Sequence, residues 1–178
     1  MPNKHTRAKK RSKAAASRAA LQIRCRVLVA LGITIERDTK TTHDDLKNHQ
    51  RIAHCGSGAV GCYYGGRLAQ HGNDVHFLMR SDYEEVKQHG LKIRSPLGDF
   101  NLPHVNCHRS TAEIGPCDLV IIAMKATANE VLLELLPPLL KEKTMILTLQ
   151  NGLGSDDFLA RHFGSARVLG GLCFVCIK

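Results

Sequence analysis

The sequence predicts an α/β fold: a doubly wound, mostly parallel sheet with a small antiparallel insertion, behind a basic leader. Three observations predict it. A glycine-rich turn, Gly56-Ser57-Gly58-Ala59-Val60-Gly61, stands between a short strand-like run and a helical pattern. Residues 117–124 (CDLVIIAM) form a near-continuous apolar run with β-branched side chains, which suits a strand covered on both faces, as in a parallel sheet. From residue 51 onward, strand-like and helical stretches alternate, the pattern of βαβ units.

Residues 51–55 (RIAHC) read as the first strand. His54 is an odd occupant of a central position, either a hydrogen-bonded core histidine or the mark of an imperfect strand. The following G-x-G-x-x-G has the Rossmann-type pattern. Gly56 permits the tight turn, Gly58 removes a side chain where backbone must approach a pyrophosphate, and Gly61 lets the helix lie close to the sheet. The unpaired N–H groups and positive end of that helix, residues 59–70, then face the phosphates. Such a hexapeptide also occurs as a plain turn, so its surroundings decide. Gly72 stands where a left-handed cap would close the helix.

Residues 74–79 (DVHFLM) form a second strand and deliver Arg80. About 20 residues beyond the glycines, an acidic side chain accepts from a ribose 2′-hydroxyl, whereas a cation meets a 2′-phosphate. Arg80 therefore argues for NADP(H); the plain alternative is a surface arginine at a strand end. Ser81-Asp82-Tyr83-Glu84 has capping-box spacing for a short helix to about residue 88. Residues 91–94 and 100–102 flank Ser95-Pro96-Leu97-Gly98-Asp99 as a hairpin. Ser110-Thr111-Ala112-Glu113 is a second capping box, opening a one-turn helix.

The strand at 117–124 stops at Lys125, on the carboxyl edge where such sheets bind ligands. A leucine-rich helix through 131–136 is ended or kinked by Pro137-Pro138. The strand at 145–149 delivers Gln150-Asn151-Gly152-Leu153-Gly154 to the same edge. Ser155-Asp156-Asp157 can cap a helix to Phe163, closed by Gly164, and residues 168–177 read as a last strand.

At 178 residues and 43% hydrophobic composition, the chain can bury one ordinary core. The net charge of +9 suggests nucleic acid at first, but it is not evenly spread. Nine cations and no acid precede Glu36, and from Glu36 onward 16 basic residues face 16 acidic ones. The excess belongs to the leader, which reads as a transit peptide, a nucleic-acid arm or a solvated tail, the last being favoured. Residues 1–50 are thus expected to be a disordered basic leader and polar linker, and residues 51–178 one domain. With the remainder neutral and no DNA- or RNA-reading motif, nucleic acid is disfavoured as a partner. No apolar run reaches the ~20 residues of a membrane span. Seven scattered cysteines suggest a reducing compartment. Cys173 and Cys176 form a C-x-x-C without a second pair, so they read as buried small residues and no metal site is expected.

The glycine turn, Arg80, Lys125 and Asn151, in this order and with YYGGRLAQHGNDV behind the glycines, resemble the N-terminal domain of the ketopantoate reductase (2-dehydropantoate 2-reductase) family from about Arg51 to Cys176. The resemblance implies NADPH-dependent reduction of ketopantoate to pantoate, on the route to pantothenate and coenzyme A. It implies that Gly56, Ser57, Gly58, Ala59, Val60 and Gly61 hold the pyrophosphate and Arg80 the 2′-phosphate. Lys125 and Asn151 would lie near the nicotinamide and a small keto-acid substrate. It assigns a catalytic lysine and a substrate-securing acid to a C-terminal helical domain with no counterpart before Lys178, which leaves the catalytic residues of this chain unknown. The expectation is a truncated, weakly active or inactive reductase domain, cytoplasmic, or mitochondrial if the leader is a transit peptide. Self-association through the uncovered edge at 168–177 is a further expectation. The alternative is a non-catalytic NADP-binding module with a regulatory or interaction role.

Overall fold

A computed structural model of the chain describes residues 50–171 and 173. The expectations for the leader, for Cys176 and for most of the last predicted strand lie outside the described residues.

Six strands form one parallel sheet in the order β5-β2-β1-β6-β7-β8. These are β1 (Arg51–Cys55), β2 (Asp74–Leu78), β5 (Asn106–His108), β6 (Leu119–Ile122), β7 (Met145–Thr148) and β8 (Val168–Gly170). A two-stranded antiparallel hairpin, β3 (Leu91–Ile93) and β4 (Phe100–Leu102), forms the predicted insertion. Strand order reverses between β1 and β6, so winding proceeds outward in both directions from that pair, the doubly wound topology. All four residues of β6 are buried, because helices cover both faces of the sheet.

One face packs Ile52, Leu68, Val75, Phe77, Leu119 and Ile121 beneath α1 (Ala59–Gln70) and the hairpin. The other packs Ala53, Val120, Ile122, Leu132, Ile146 and Leu159 beneath α3 (Thr111–Ile114), α4 (Leu132–Leu135) and α5 (Ser155–Phe163). The buried side of α1 carries Gly61, Gly65, Gly66 and Leu68. Helical glycine costs about 1 kcal/mol relative to alanine, and close approach explains its use here. A Cβ at Gly65 would stand 2.5 Å from the Phe77 ring and 3.0 Å from His54. Arg67 of α1 lies over the Phe100 ring at 4.3 Å and donates to the Gly98 carbonyl, which ties the hairpin to the helix.

Several local expectations are corrected. Strand β5 was not predicted: Asn106-Cys107-His108 has no apolar alternation, and pairing with β2 makes it a strand. Ser81 does not cap α2 (Tyr83–His89), whose N-cap is Asp82 without a side-chain bond. Ser155 is the buried first residue of α5, and the cap position belongs to Gly154. Ser110 does cap α3, accepting from the Glu113 N–H. The helix expected through 131–136 is broken into a 3₁₀ segment (Ala126–Val131), the single turn α4 and a 3₁₀ turn at Pro137–Leu139. Among the described residues the last strand spans Val168–Gly170, and Gly171 and Cys173 are not part of it.

Of the two readings of His54, the structure excludes the imperfect strand and leaves a core histidine whose polar neighbour is the Gly56 backbone. Its strand is regular and paired on both sides, yet the side chain is fully buried and neither ring nitrogen has a hydrogen-bond partner. It stacks on Phe77 at 5.9 Å. Burial lowers its pKa to about 4, with the nearby Gly56 backbone opposing in part.

Candidate functional site at the carboxyl edge of the sheet

The carboxyl ends of β1 and β6 meet where the strand order reverses, and the glycine turn lies across that point. Cys55 pairs with both Leu78 and Ile122, and the Ala123 N–H donates to the Cys55 carbonyl. Gly56 then turns with φ +113°, and a Cβ on it would stand 2.7 Å from the Ala123 carbonyl carbon and the Met124 nitrogen. A Cβ on Gly61 would run into the Gly56 carbonyl oxygen. These two glycines are demanded by the fold. Gly58 is different: it is the N-cap of α1, and a Cβ there meets nothing within 4 Å. The turn is therefore open to a ligand at the one glycine that packing does not require.

Helix α1 begins without a side-chain cap and without an acidic residue in its first turn. Its early N–H groups and positive end are left for an outside acceptor, and an anion is the natural one. Gly58 and Ala59 are exposed while Gly56, Ser57 and Val60 are half-buried, so the peptide edge presented there is accessible. The open glycine and uncapped donors fit the pyrophosphate of a dinucleotide.

Register places the other sequence-predicted residues along the same edge. Arg80 lies two residues beyond Leu78, as Ser57 lies two beyond Cys55, its pairing partner. Lys125 and Asn151 each lie three residues beyond the paired positions Ile122 and Thr148. All three side chains are exposed.

Charge pairing distinguishes Arg80 and Lys125 from the cations of the amino edge. At the amino edge, Arg51 donates to Asp74 at 3.1 Å and to the Ile114 carbonyl at 2.8 Å, and its N–H donates to Asp118. Lys141 meets Asp118 at 2.7 Å. Burial alone would raise the Asp118 carboxyl, but the Lys141 ammonium and the Arg51 N–H hold it below its ordinary value. At the carboxyl edge, neither Arg80 nor Lys125 has an ion pair among the described residues. Cations without ion pairs among the described residues, along the same sheet edge as uncapped helix donors, are chemically suited to an anion.

Sequence reasoning missed a polar cluster behind Asn151. Gln150 is buried, its side chain bonds Thr148 and Asn129, and Asn129 in turn donates to Ser155. A glutamine directly after the apolar run MILTL was the available signal. Burial raises the thiols of the described cysteines, Cys55 to about 12 and Cys62 to about 11, which disfavours the nucleophilic thiolate.

Residues 52–178 match the family described as ketopantoate reductase PanE/ApbA. The chain is similar to a 2-dehydropantoate 2-reductase of Nostoc sp., 46% identical over 129 residues, covering 72% of this chain and 40% of that protein. Among solved structures it is similar to 2-dehydropantoate 2-reductase from Geobacter metallireducens, with 53% identity, a TM-score of 0.70, and 71% of this chain and 42% of that one covered. It also resembles D-mandelate dehydrogenase solved with NADH and anilino(oxo)acetate, at 27% identity and a TM-score of 0.60, covering 68% and 40%. The chain spans about 40% of the length of the curated relatives it matches.

Proposed function

Because the chain belongs to the ketopantoate reductase PanE/ApbA family, we propose that residues 51–178 form the NADPH-binding part of a reductase that converts ketopantoate to pantoate. The observation that carries this reading is the open Gly58 turn on an uncapped helix at the reversal of strand order, with Arg80 and Lys125, neither ion-paired among the described residues, along the same edge.

In this reading the backbone from Gly56 to Gly61 grips the pyrophosphate, and Arg80, level with Ser57, takes the 2′-phosphate. Lys125 and Asn151 sit at the nicotinamide end and face the keto acid. When bound, the reduced nicotinamide supplies the hydride. The Lys125 ammonium balances negative charge growing on the ketone oxygen, and the Asn151 amide offers a further donor there. The family resemblance assigns the proton-donating lysine and the substrate-securing acid to a further helical domain. Residues 51–178 are accordingly proposed to hold the cofactor and one wall of the substrate cleft, with slow turnover by themselves.

Ligand-observed NMR on the full chain tests the substrate assignment. Ketopantoate should show protein contact in the presence of NADP⁺, and Lys125→Ala and Asn151→Ala should each weaken it. Contact that both variants leave unchanged, or none with cofactor bound, would remove the substrate assignment.

A further inference from the structure

We infer that Gln150 and Asn129 are positioning residues that lock the Lys125 loop to the Asn151 loop and so preset the nicotinamide end of the site; this rests on the nucleotide-binding reading above. The bonds run in one consistent direction across three segments. The Gln150 N–H donates to Thr148 Oγ1 at 3.2 Å, and that hydroxyl donates to Gln150 Oε1 at 3.1 Å. Gln150 Nε2 donates to Asn129 Oδ1 at 2.8 Å, and Asn129 Nδ2 donates to Ser155 Oγ at 3.2 Å. Thr148 ends β7, Asn129 lies in the 3₁₀ segment after β6, and Ser155 opens α5.

Among the described residues, little else fixes these loops. Asn151, Gly152, Leu153 and Gly154 are all exposed, and Gly152 and Gly154 have positive φ. On the other side, Lys125 is exposed and the segment after it is 3₁₀ with a kink at Ala128, a weaker frame than an α-helix. The Ala128 N–H donates to the Lys125 carbonyl at 3.0 Å, so fixing Asn129 also fixes the turn that carries Lys125. Gln150 is joined directly to Asn151. Gln150, Ser155 and Thr148 are each at most 5% exposed and Asn129 is half-buried, so the Thr148–Gln150 bonds are shielded from water and those to Asn129 partly so, where a satisfied polar network is strong and a broken one costly.

The test compares two ligands on the full chain: NADPH, and adenosine 2′,5′-bisphosphate, which carries the adenosine half alone. Gln150→Leu should weaken NADPH about tenfold while leaving the bisphosphate unchanged, the size expected from losing one or two buried hydrogen bonds' worth of preorganisation. Gln150→Leu with Asn129→Leu leaves no stranded amide and should recover thermal stability without recovering NADPH affinity. Ser155→Ala, which removes only the acceptor for Asn129, should act in the same direction with a smaller effect. Equal weakening of both ligands, no change in NADPH affinity, or affinity that recovers with stability in the double variant would each overturn the inference. Failure of the unaltered protein to bind either ligand would instead remove the nucleotide reading on which it stands.

Discussion

Gly56 lies so close to Ala123 that a side chain on it would stand 2.7 Å from the Ala123 carbonyl carbon, at a backbone φ of +113°. This contact joins the two strands between which the winding reverses, so it sets the depth of the turn. Gly56→Ala should destabilise the fold by more than the roughly 1–3 kcal/mol of left-handed strain alone. Gly58→Ala should stay within about 1 kcal/mol of the parent stability, because its Cβ enters open space, yet it should lose NADPH affinity. Thermal unfolding and a fluorescence titration on both variants check the pair. A stable Gly56→Ala, or a Gly58→Ala that binds as the parent does, would contradict the assignment of their roles.

The contrast between these glycines was only half legible in the sequence. The spacing located the turn, the helix from Ala59 to Gln70 and the strands β1, β2, β6 and β7, because each has a strong apolar period or a glycine at its boundary. Strand β5 was invisible, since Asn106 and His108 owe their extended backbone to pairing with β2 and to the His76–His108 contact at 2.9 Å. Ser81 carried a capping pattern that tertiary packing did not use. The edge holding Arg80, Lys125 and Asn151 could be anticipated from strand ends, and Gln150 by its place after MILTL, but its pairing with Asn129 could not. Their relation is 21 residues apart in sequence and exists only once β6 and β7 are neighbours.

His54 should make the protein acid-sensitive. Its folded pKa of about 4 lies below the ordinary 6.5. Between those values the unfolded chain takes up a proton that the native state refuses, so stability falls as pH drops from 6.5 toward 4. The full effect is about 3 kcal/mol. Asp118, also held below its usual value, adds a loss only as pH falls through the carboxylate range. His54→Leu should flatten the upper part of this profile and be at least as stable at pH 7, because two unpartnered buried nitrogens are removed. Urea unfolding at stepped pH measures it; superimposable profiles for the two proteins would count against a buried neutral histidine.

Arg80 should set the choice between the two nicotinamide nucleotides. A charge-assisted contact to a 2′-phosphate is worth about 1.5–3 kcal/mol, or roughly ten- to a hundredfold in affinity. Arg80→Ala should weaken NADPH by that factor and leave NADH nearly unchanged, with the parent's preference declining as salt is raised. An unaltered preference in the variant would assign the discrimination elsewhere on the edge.

The central claim is that the carboxyl edge between β1 and β6 is a nucleotide site, and isothermal titration calorimetry on the well-folded full chain tests it most directly. Saturable heat with NADPH, clearly tighter than with NADH and greatly reduced in Gly58→Ala, is the predicted result. Absence of heat with NADPH at millimolar concentration, from protein whose cooperative unfolding shows it to be native, would contradict it.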